Sequence, residues 1–395
     1  MVRMTGCPDH ERVARAALAA AVEPPGERVA RHLIDHGTEA TLAALREGGD
    51  EKLDPDERVH RRLAGVDGAA VLASASALGI RYVCPADAEW PAALDQMSFF
   101  AGAGDKWVAP PIGLWIRGDA YLVSLAPRSV AVVGARAATD YGRRIATELA
   151  AELASRGWAV VSGAAYGIDG AAHRGTLAVD GATVAVLACG ADLTYPRGHS
   201  ELLRRILEGG LIVSELPPGT VPSRPRFLAR NRLIAALTRG TVIVEAARRS
   251  GALNTATWAT HLRRPLAAVP GPVTSAMSAG CHKLIRDGAA MLVNDAAEVA
   301  DLVGDLGTDA AADERVPDGP LDRLEPTARD VYEAMPARLA VTVDQLCAET
   351  GLSVPACMAA LGRLGASGLV ARADGGWRLA KIGHGAPKAA MLDLD

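Results

Sequence analysis

The sequence predicts an α/β fold: a doubly wound parallel, Rossmann-like sheet flanked by an N-terminal helical module and a C-terminal winged helix. Three observations lead there. Between Val130 and Val269, apolar runs of strand length alternate with segments of helix length, the pattern of a parallel sheet. Three of those runs end in the same way. Val130–Val133 leads into Gly134-Ala135-Arg136, Ala159–Val161 into Ser162-Gly163, and Val242–Val244 into Glu245 and then Ser250-Gly251. A strand that stops in glycine or serine at a helix start leaves backbone N–H groups facing an anion, and several such turns at one sheet edge mark a phosphate-binding crevice. Charge is the third observation. Residues 128–300 hold 20 Lys+Arg against 13 Asp+Glu, whereas the remainder holds 22 against 33. A basic patch in an acidic chain points to a polyanion bound locally.

Taken in order, residues 10–100 form the expected N-terminal helical module, of the sterile-alpha-motif or helix-hairpin-helix kind. Its helices are Glu11–Val22, Glu27–His36, Glu39–Arg46 and Pro55–Leu78, with Pro24-Pro25-Gly26 breaking the first two. Ile80–Val83 reads as a strand. Leu114–Gly118 reads as the edge strand entering a sheet domain over 110–303. Thr139 is an N-cap for a helix Tyr141–Arg156 that Gly157 closes. Strand Ala159–Ser162, helix Gly170–Val179, strand Thr183–Leu187, helix Ser200–Glu208 and strand Leu211–Ser214 follow. Helix Arg226–Thr238, strand Thr241–Glu245, helix Asn254–His261 and strand Leu266–Val269 complete the set. Residues 304–325, rich in Gly, Asp, Ala and Pro, read as a linker. Beyond it, helices Thr327–Glu333, Val343–Thr350 and Ser353–Ala366 precede a hairpin turning at Asp374-Gly375-Gly376, a winged helix over 326–381. Residues 382–395 read as a disordered tail.

Several chemistries lack their signatures. GxGxxG is absent after the first strand, and the second strand ends in Ser162-Gly163 where a dinucleotide enzyme keeps a ribose-binding acid. There is no GxxxxGK[ST], GxSxG or HExxH. The six cysteines are scattered, without CxxC or Cys/His pairing at zinc spacing. No cofactor, metal or disulfide is expected. No apolar run reaches the roughly 18 residues that span a bilayer, and Met1–Arg12 lacks a secretory apolar segment. The expectation is a cytoplasmic protein without a membrane partner.

The candidate binding residues lie in the three turns and in one arginine-rich segment. Gly134 and Arg136 offer amides and a guanidinium for a phosphodiester. Ser162 and Gly163 offer the amides of the second turn, with Asp169 as a helix cap and His173 as a packing residue. Ser250, Gly251 and Thr255 belong to the third. Arg224–Arg249 contains seven arginines and one acid, Glu245, expected to pair with Arg230 or Arg232. Phe227, one of three phenylalanines in the chain, sits among Arg224, Arg226, Arg230 and Arg232. A flat ring for a base between guanidinium groups for phosphates is how single-stranded DNA is held, although the same ring also suits the buried start of a helix.

These motifs resemble, in order, those of the DNA-processing protein A (DprA, or Smf) family. They are GARAATDYG (134–142), SGAAYGID (162–169), ACGADLTYPRGH (188–199), SELPPGTVPSRPRFLARNR (214–232), VIVEAARRSGALNTA (242–256), AVPGP (268–272) and CHKLIRDGA (281–289). The match departs from the family pattern at Leu228, His199 and Asn254. The resemblance implies a homodimeric, non-enzymatic protein that binds single-stranded DNA, protects it and loads the RecA recombinase in natural transformation. It further implies DNA contacts at Arg136, Arg224 and Phe227, with Arg230, Asn231 and Arg232 nearby and Lys283 as a further candidate. The competing expectation is a nucleotide-processing enzyme, phosphoribohydrolase-like, on the same sheet. A duplex-reading winged helix is a third, disfavoured because Ser353–Ala366 carries one arginine and no lysine.

Overall fold

A computed structural model describes residues 6–24, 26–97, 110–305 and 324–380. The chain divides into two compact units, Met1–Ala312 and Asp313–Asp395. Most of the expected linker and the whole of the expected tail lie outside the described residues.

The first unit opens with helices α1 (Asp9–Ala21), α2 (Glu27–His36), α3 (Thr38–Glu47), α4 (Arg58–Leu63) and α5 (Gly68–Ala77). One face of α1 is nearly all alanine, and Ala14, Ala17, Leu18 and Ala21 are buried. That small-residue face lets α5 come close: a Cβ on Gly68 would overlap the Val13 carbonyl. The single helix expected over Pro55–Leu78 is in fact two. Asp67 interrupts it by accepting from the Ala69 N–H and capping α5.

The sheet elements follow. They are β1 (Ile80–Val83), α6 (Ala92–Asp95), β2 (Leu114–Arg117), α7 (Leu122–Leu125), β3 (Ser129–Val133), α8 (Asp140–Ser155), β4 (Ala159–Ser162), α9 (Ile168–Ala178) and β5 (Thr183–Leu187). Then come α10 (Ser200–Ile206), β6 (Leu211–Ser214), α11 (Arg224–Leu237), β7 (Gly240–Ile243), α12 (Ala252–His261), β8 (Leu266–Ala268), α13 (Ala279–Arg286), β9 (Met291–Leu292) and α14 (Ala296–Val303). The nine strands are ordered β1-β2-β6-β5-β4-β3-β7-β8-β9. β1 pairs antiparallel with β2 and β2 antiparallel with β6, while every other pairing is parallel.

Every residue of β3, β4, β5 and β6 is buried, because helices cover both faces of the sheet. One apolar layer gathers around Leu233, Ile234 and Leu237 of α11, the other around Leu149 and Leu153 of α8 and Trp158 just after it. β2 is not the edge strand that Leu114–Gly118 suggested. β1 covers it, and Trp115 is wholly buried. From β3 the chain winds outward through β4, β5 and β6, then returns through α11 to lay β7 on the other side of β3. That reversal opens a crevice past the carboxyl ends of β3 and β7, the place where such sheets bind ligands.

The second unit comprises α15 (Pro326–Glu333), α16 (Val343–Thr350), α17 (Val354–Ala366) and the hairpin β10 (Val370–Ala373)–β11 (Gly376–Leu379). Thr342 and Gln345 close a reciprocal capping box on α16. Gly375, at φ 90°, makes the hairpin turn.

Candidate nucleic-acid interface

The crevice is a cavity of about 810 Å³, and its walls come from the loops after β3, β4 and β7 and from one face of α11. Gly134, Arg136, Arg224, Phe227, Arg230, Asn231, Ser250, Gly251 and Thr255 all line it. Helical spacing explains the α11 wall. Residues 224, 227, 228, 231 and 234 recur at three- and four-residue intervals and share one face.

The exposed chemistry at the mouth is cationic and aromatic. Arg136 places its guanidinium carbon 4.6 Å from the centroid of the Phe227 ring, a cation–π contact. Tyr195 lies tilted against the same ring at 5.6 Å. Tyr195 and Tyr166 remain 39% and 50% exposed, so the rim presents aromatic surface beside charge. Arg136, Arg224 and Arg249 are exposed, and among the described residues none of the three is in an ion pair.

Beneath the mouth the structure departs from the sequence expectation. The Asp169 carboxylate accepts from the Gly163 N–H at 3.1 Å, and the nearby amides of Ala165 and Gly134 favour its charged form. The protein's own carboxylate therefore fills the amide cradle that the sequence assigned to an incoming phosphate, and it does not cap α9, whose N-cap is Gly167. Burial raises the Asp169 carboxyl above its usual range, against the opposing pull of Arg230 and these amides. Ser162 is fully buried, its Oγ donating to the Val132 carbonyl within the sheet.

Arg230 is a brace, not a free cation. It is 6% exposed, donates to the Gly163 carbonyl at 2.8 Å and to the Val186 carbonyl, and reaches Asn231 Oδ1 at 3.2 Å. Burial pushes its guanidinium down to about 10. Gly163 is glycine because this guanidinium occupies the space a Cβ would need. Asn231 reaches across to the third loop, donating to the Gly251 carbonyl at 3.4 Å and to Asn254 Oδ1 at 3.3 Å. Gly251 differs from Gly134 and Gly163. A Cβ there would meet nothing within 4 Å, so packing within the protein does not demand glycine, and the backbone is open to close approach.

Three further expectations are corrected. Arg232 faces away from the crevice, 1% exposed, in a two-pronged pair with Glu215 at 2.9 and 2.6 Å. Lys283 lies on α13 outside the crevice lining and pairs with Asp287. Glu245 pairs with neither Arg230 nor Arg232. It accepts from the Thr139 N–H at 2.9 Å and the Thr139 hydroxyl at 2.6 Å, fixing the N-cap of α8. His173 packs as expected, buried with Nδ1 on the Thr183 hydroxyl at 2.7 Å. The sequence alone assigned no role to Tyr166 or Tyr195 and set Arg249 only among the arginines leading into the third turn. The two tyrosines stand in the SGAAYGID and LTYP motifs, where an aromatic following a strand end was the available signal.

Residues 81–304 match the family model described as DNA recombination-mediator protein A, and residues 315–376 match the DprA winged helix domain. The chain belongs to the DNA recombination-mediator protein A family. A Mycobacterium tuberculosis chain carrying the name DNA processing protein DprA is 50% identical over 323 residues, covering 80% of this chain and 82% of that one. Escherichia coli protein Smf is 36% identical over 313 residues, covering 77% and 79%. The crystal structure of DprA from Streptococcus pneumoniae superposes with a TM-score of 0.61 at 28% identity, spanning 76% of this chain and all of that one. Within this DprA-type fold, the family model ends one residue beyond α14, and the helices α1–α5 precede it. No described helix is long and apolar enough to cross a membrane.

Proposed function

We propose that this protein binds single-stranded DNA in the crevice without chemically altering it. Bound as a cytoplasmic homodimer, it shields the strand and delivers it to the RecA recombinase during recombination or DNA uptake. The observation that carries this reading is the mouth itself: three guanidinium groups without a carboxylate partner among the described residues, Arg136, Arg224 and Arg249, around the half-buried Phe227 ring. Guanidinium groups suit phosphodiesters, and a flat ring suits any base. Gly251 adds a place where a sugar–phosphate backbone can lie against the protein backbone. With Asp169 filling the amide cradle, the arginines carry the phosphate contacts and the amides do not. In the same reading the winged helix, residues 326–381, and the N-terminal module, residues 10–100, are accessory domains joined to a DNA-binding domain over 110–303.

The enzyme alternative finds less support in this site. Both acids near the crevice are engaged, Asp169 with backbone amides and Glu245 with Thr139, so neither stands ready as a general base. Titrating the protein with a dT oligonucleotide, the matching duplex and AMP separates the readings. The single strand binds most tightly and its affinity falls steeply with salt; tightest binding of AMP would favour the enzyme, and of duplex the winged helix.

Two further outcomes follow. Phe227→Ala weakens single-strand binding by about 1–3 kcal/mol, the worth of one stacked base, and leaves the slope of log K against log salt at the parent value. Removal of residues 320–395 leaves most of the affinity in place. Fluorescence anisotropy at several salt concentrations reads both. An unchanged Phe227→Ala would remove the ring from the site, and a collapse on truncation would move the site to the winged helix.

A further inference from the structure

The first turn of α11 is the wall between the crevice and the N-terminal helices. Arg224 and Arg226 are two residues apart, so they project about 200° apart around the helix axis. Arg224 faces the crevice. Arg226 faces the other way and grips Glu23, with Nε 3.1 Å from Oε2 and Nη2 2.5 Å from Oε1, while its Nη1 donates to the Val221 carbonyl at 2.5 Å. Glu23 lies just past the end of α1. Arg62 of α4 holds the same carboxylate at 3.4 Å and the Ala21 carbonyl at 3.2 Å.

The crevice-facing start of this turn is exposed and uncapped by any side chain. Ser223, at the N-cap of α11, makes no side-chain capping bond, and Pro225 occupies the first turn. Arg224, Pro225 and Leu228 are exposed. Besides the body of α11 and the packing of Phe227 on Arg136 and Tyr195, the backbone that aims Arg224 is tied to the N-terminal helices through Arg226 and its acceptor Glu23. Arg226 holds the Glu23 carboxyl below its ordinary range, as a working ion pair requires.

We propose that Glu23, an acid between the first two N-terminal helices, is a positioning residue for single-stranded DNA. By holding Arg226 it sets the first turn of α11, so that Arg224 and Phe227 meet the strand together. The inference rests on the crevice being the single-strand site. It gives the N-terminal helices a role in DNA binding without any contact between them and the DNA.

The sign of the effect makes the test sharp. Glu23 is a negative charge beside a site for a polyanion, and its removal also frees Arg226. Charge alone therefore predicts that Glu23→Ala and Glu23→Gln bind DNA as tightly as the parent or more tightly. Positioning predicts the opposite. Glu23→Ala binds a dT oligonucleotide about fivefold more weakly, the size expected from losing one partly buried ion pair. Its salt slope falls by about 0.7, the share of one phosphate contact on a single strand, as Arg224 drifts out of register. Glu23→Gln, which keeps an acceptor for Arg226, lies between the two and carries the test should the alanine variant unfold. Anisotropy on the full chain, with Arg136→Ala and Phe227→Ala alongside, distinguishes the failures. If those two weaken binding while both Glu23 variants match or exceed the parent, the positioning role is wrong and the crevice stands. If all four bind like the parent, the crevice reading fails and the positioning role falls with it.

Discussion

Arg232→Ala lowers the free energy of unfolding by about 3–5 kcal/mol, the cost of removing one partner from a buried ion pair. Arg232 is 1% exposed, and its two terminal nitrogens face the two oxygens of Glu215 at 2.9 and 2.6 Å. Truncation leaves the Glu215 carboxylate in a site shared with Ala19, Val22 and Ala30 of the N-terminal helices, without its matching cation. Urea unfolding of the two proteins side by side measures the loss. The double variant Glu215→Leu/Arg232→Met recovers most of it, because an apolar pair of similar volume needs no charge compensation. At temperatures where both are folded, Arg232→Ala binds single-stranded DNA like the parent, since the side chain never reaches the crevice. A stability loss below about 1 kcal/mol, the value of an exposed pair, would mean that solvent reaches Glu215 in the folded state.

The second large effect is on binding. Arg136→Ala weakens single-strand affinity by about tenfold, the worth of one charge-assisted hydrogen bond to a phosphate, and Arg224→Glu weakens it by more than about tenfold. Each also lowers the salt slope by about 0.7, because one fewer counterion is released from the strand. Arg224→Glu is the more severe, since it replaces attraction by repulsion at an exposed helix start. Arg136→Ala carries a second loss: the guanidinium that lies 4.6 Å from the Phe227 centroid helps hold that ring in place. In both variants Arg230 and Asn231 remain braced beneath the floor, so the fold and its unfolding midpoint stay close to the parent. Arg230→Ala behaves differently. It empties the space beside Gly163 and unties the loop after β4 from strand β5, so its effect on DNA runs through the crevice floor.

Much of this was legible before any coordinates. Strands β4, β5 and β6 and helices α2 and α16 fall on the residues that apolar runs and punctuating glycines marked. Thr139 caps α8 as its position suggested. α13, β9 and α14 went unread. β9 is two exposed residues long, too short for any periodicity. α14 did carry a signal, Asp295 at its N-cap accepting from the Glu298 N–H. The long helix drawn over Pro55–Leu78 failed because Asp67 caps a new helix just where the apolar pattern ran on.

The site divides along a different line. By itself the sequence determined the parallel sheet, the three turns that end its strands, and an aromatic set among arginines, because strand and helix periods and glycine placement are local properties of the chain. Which arginine faces which way was a tertiary decision. Along RPRFLARNR the helix turns Arg224 to the crevice, Arg226 to Glu23, Arg230 under the floor and Arg232 to Glu215, four guanidinium groups with four fates. Glu23, Gly163 and Glu215, the partners that turn the last three, lie 203, 67 and 17 residues away in sequence, and Arg224 has no partner among the described residues. The exchange of an expected phosphate for the Asp169 carboxylate has the same origin. Only folding brings that acid up against amides from two different strand ends, and a carboxylate in such a cradle satisfies donors that would otherwise be buried unpaired.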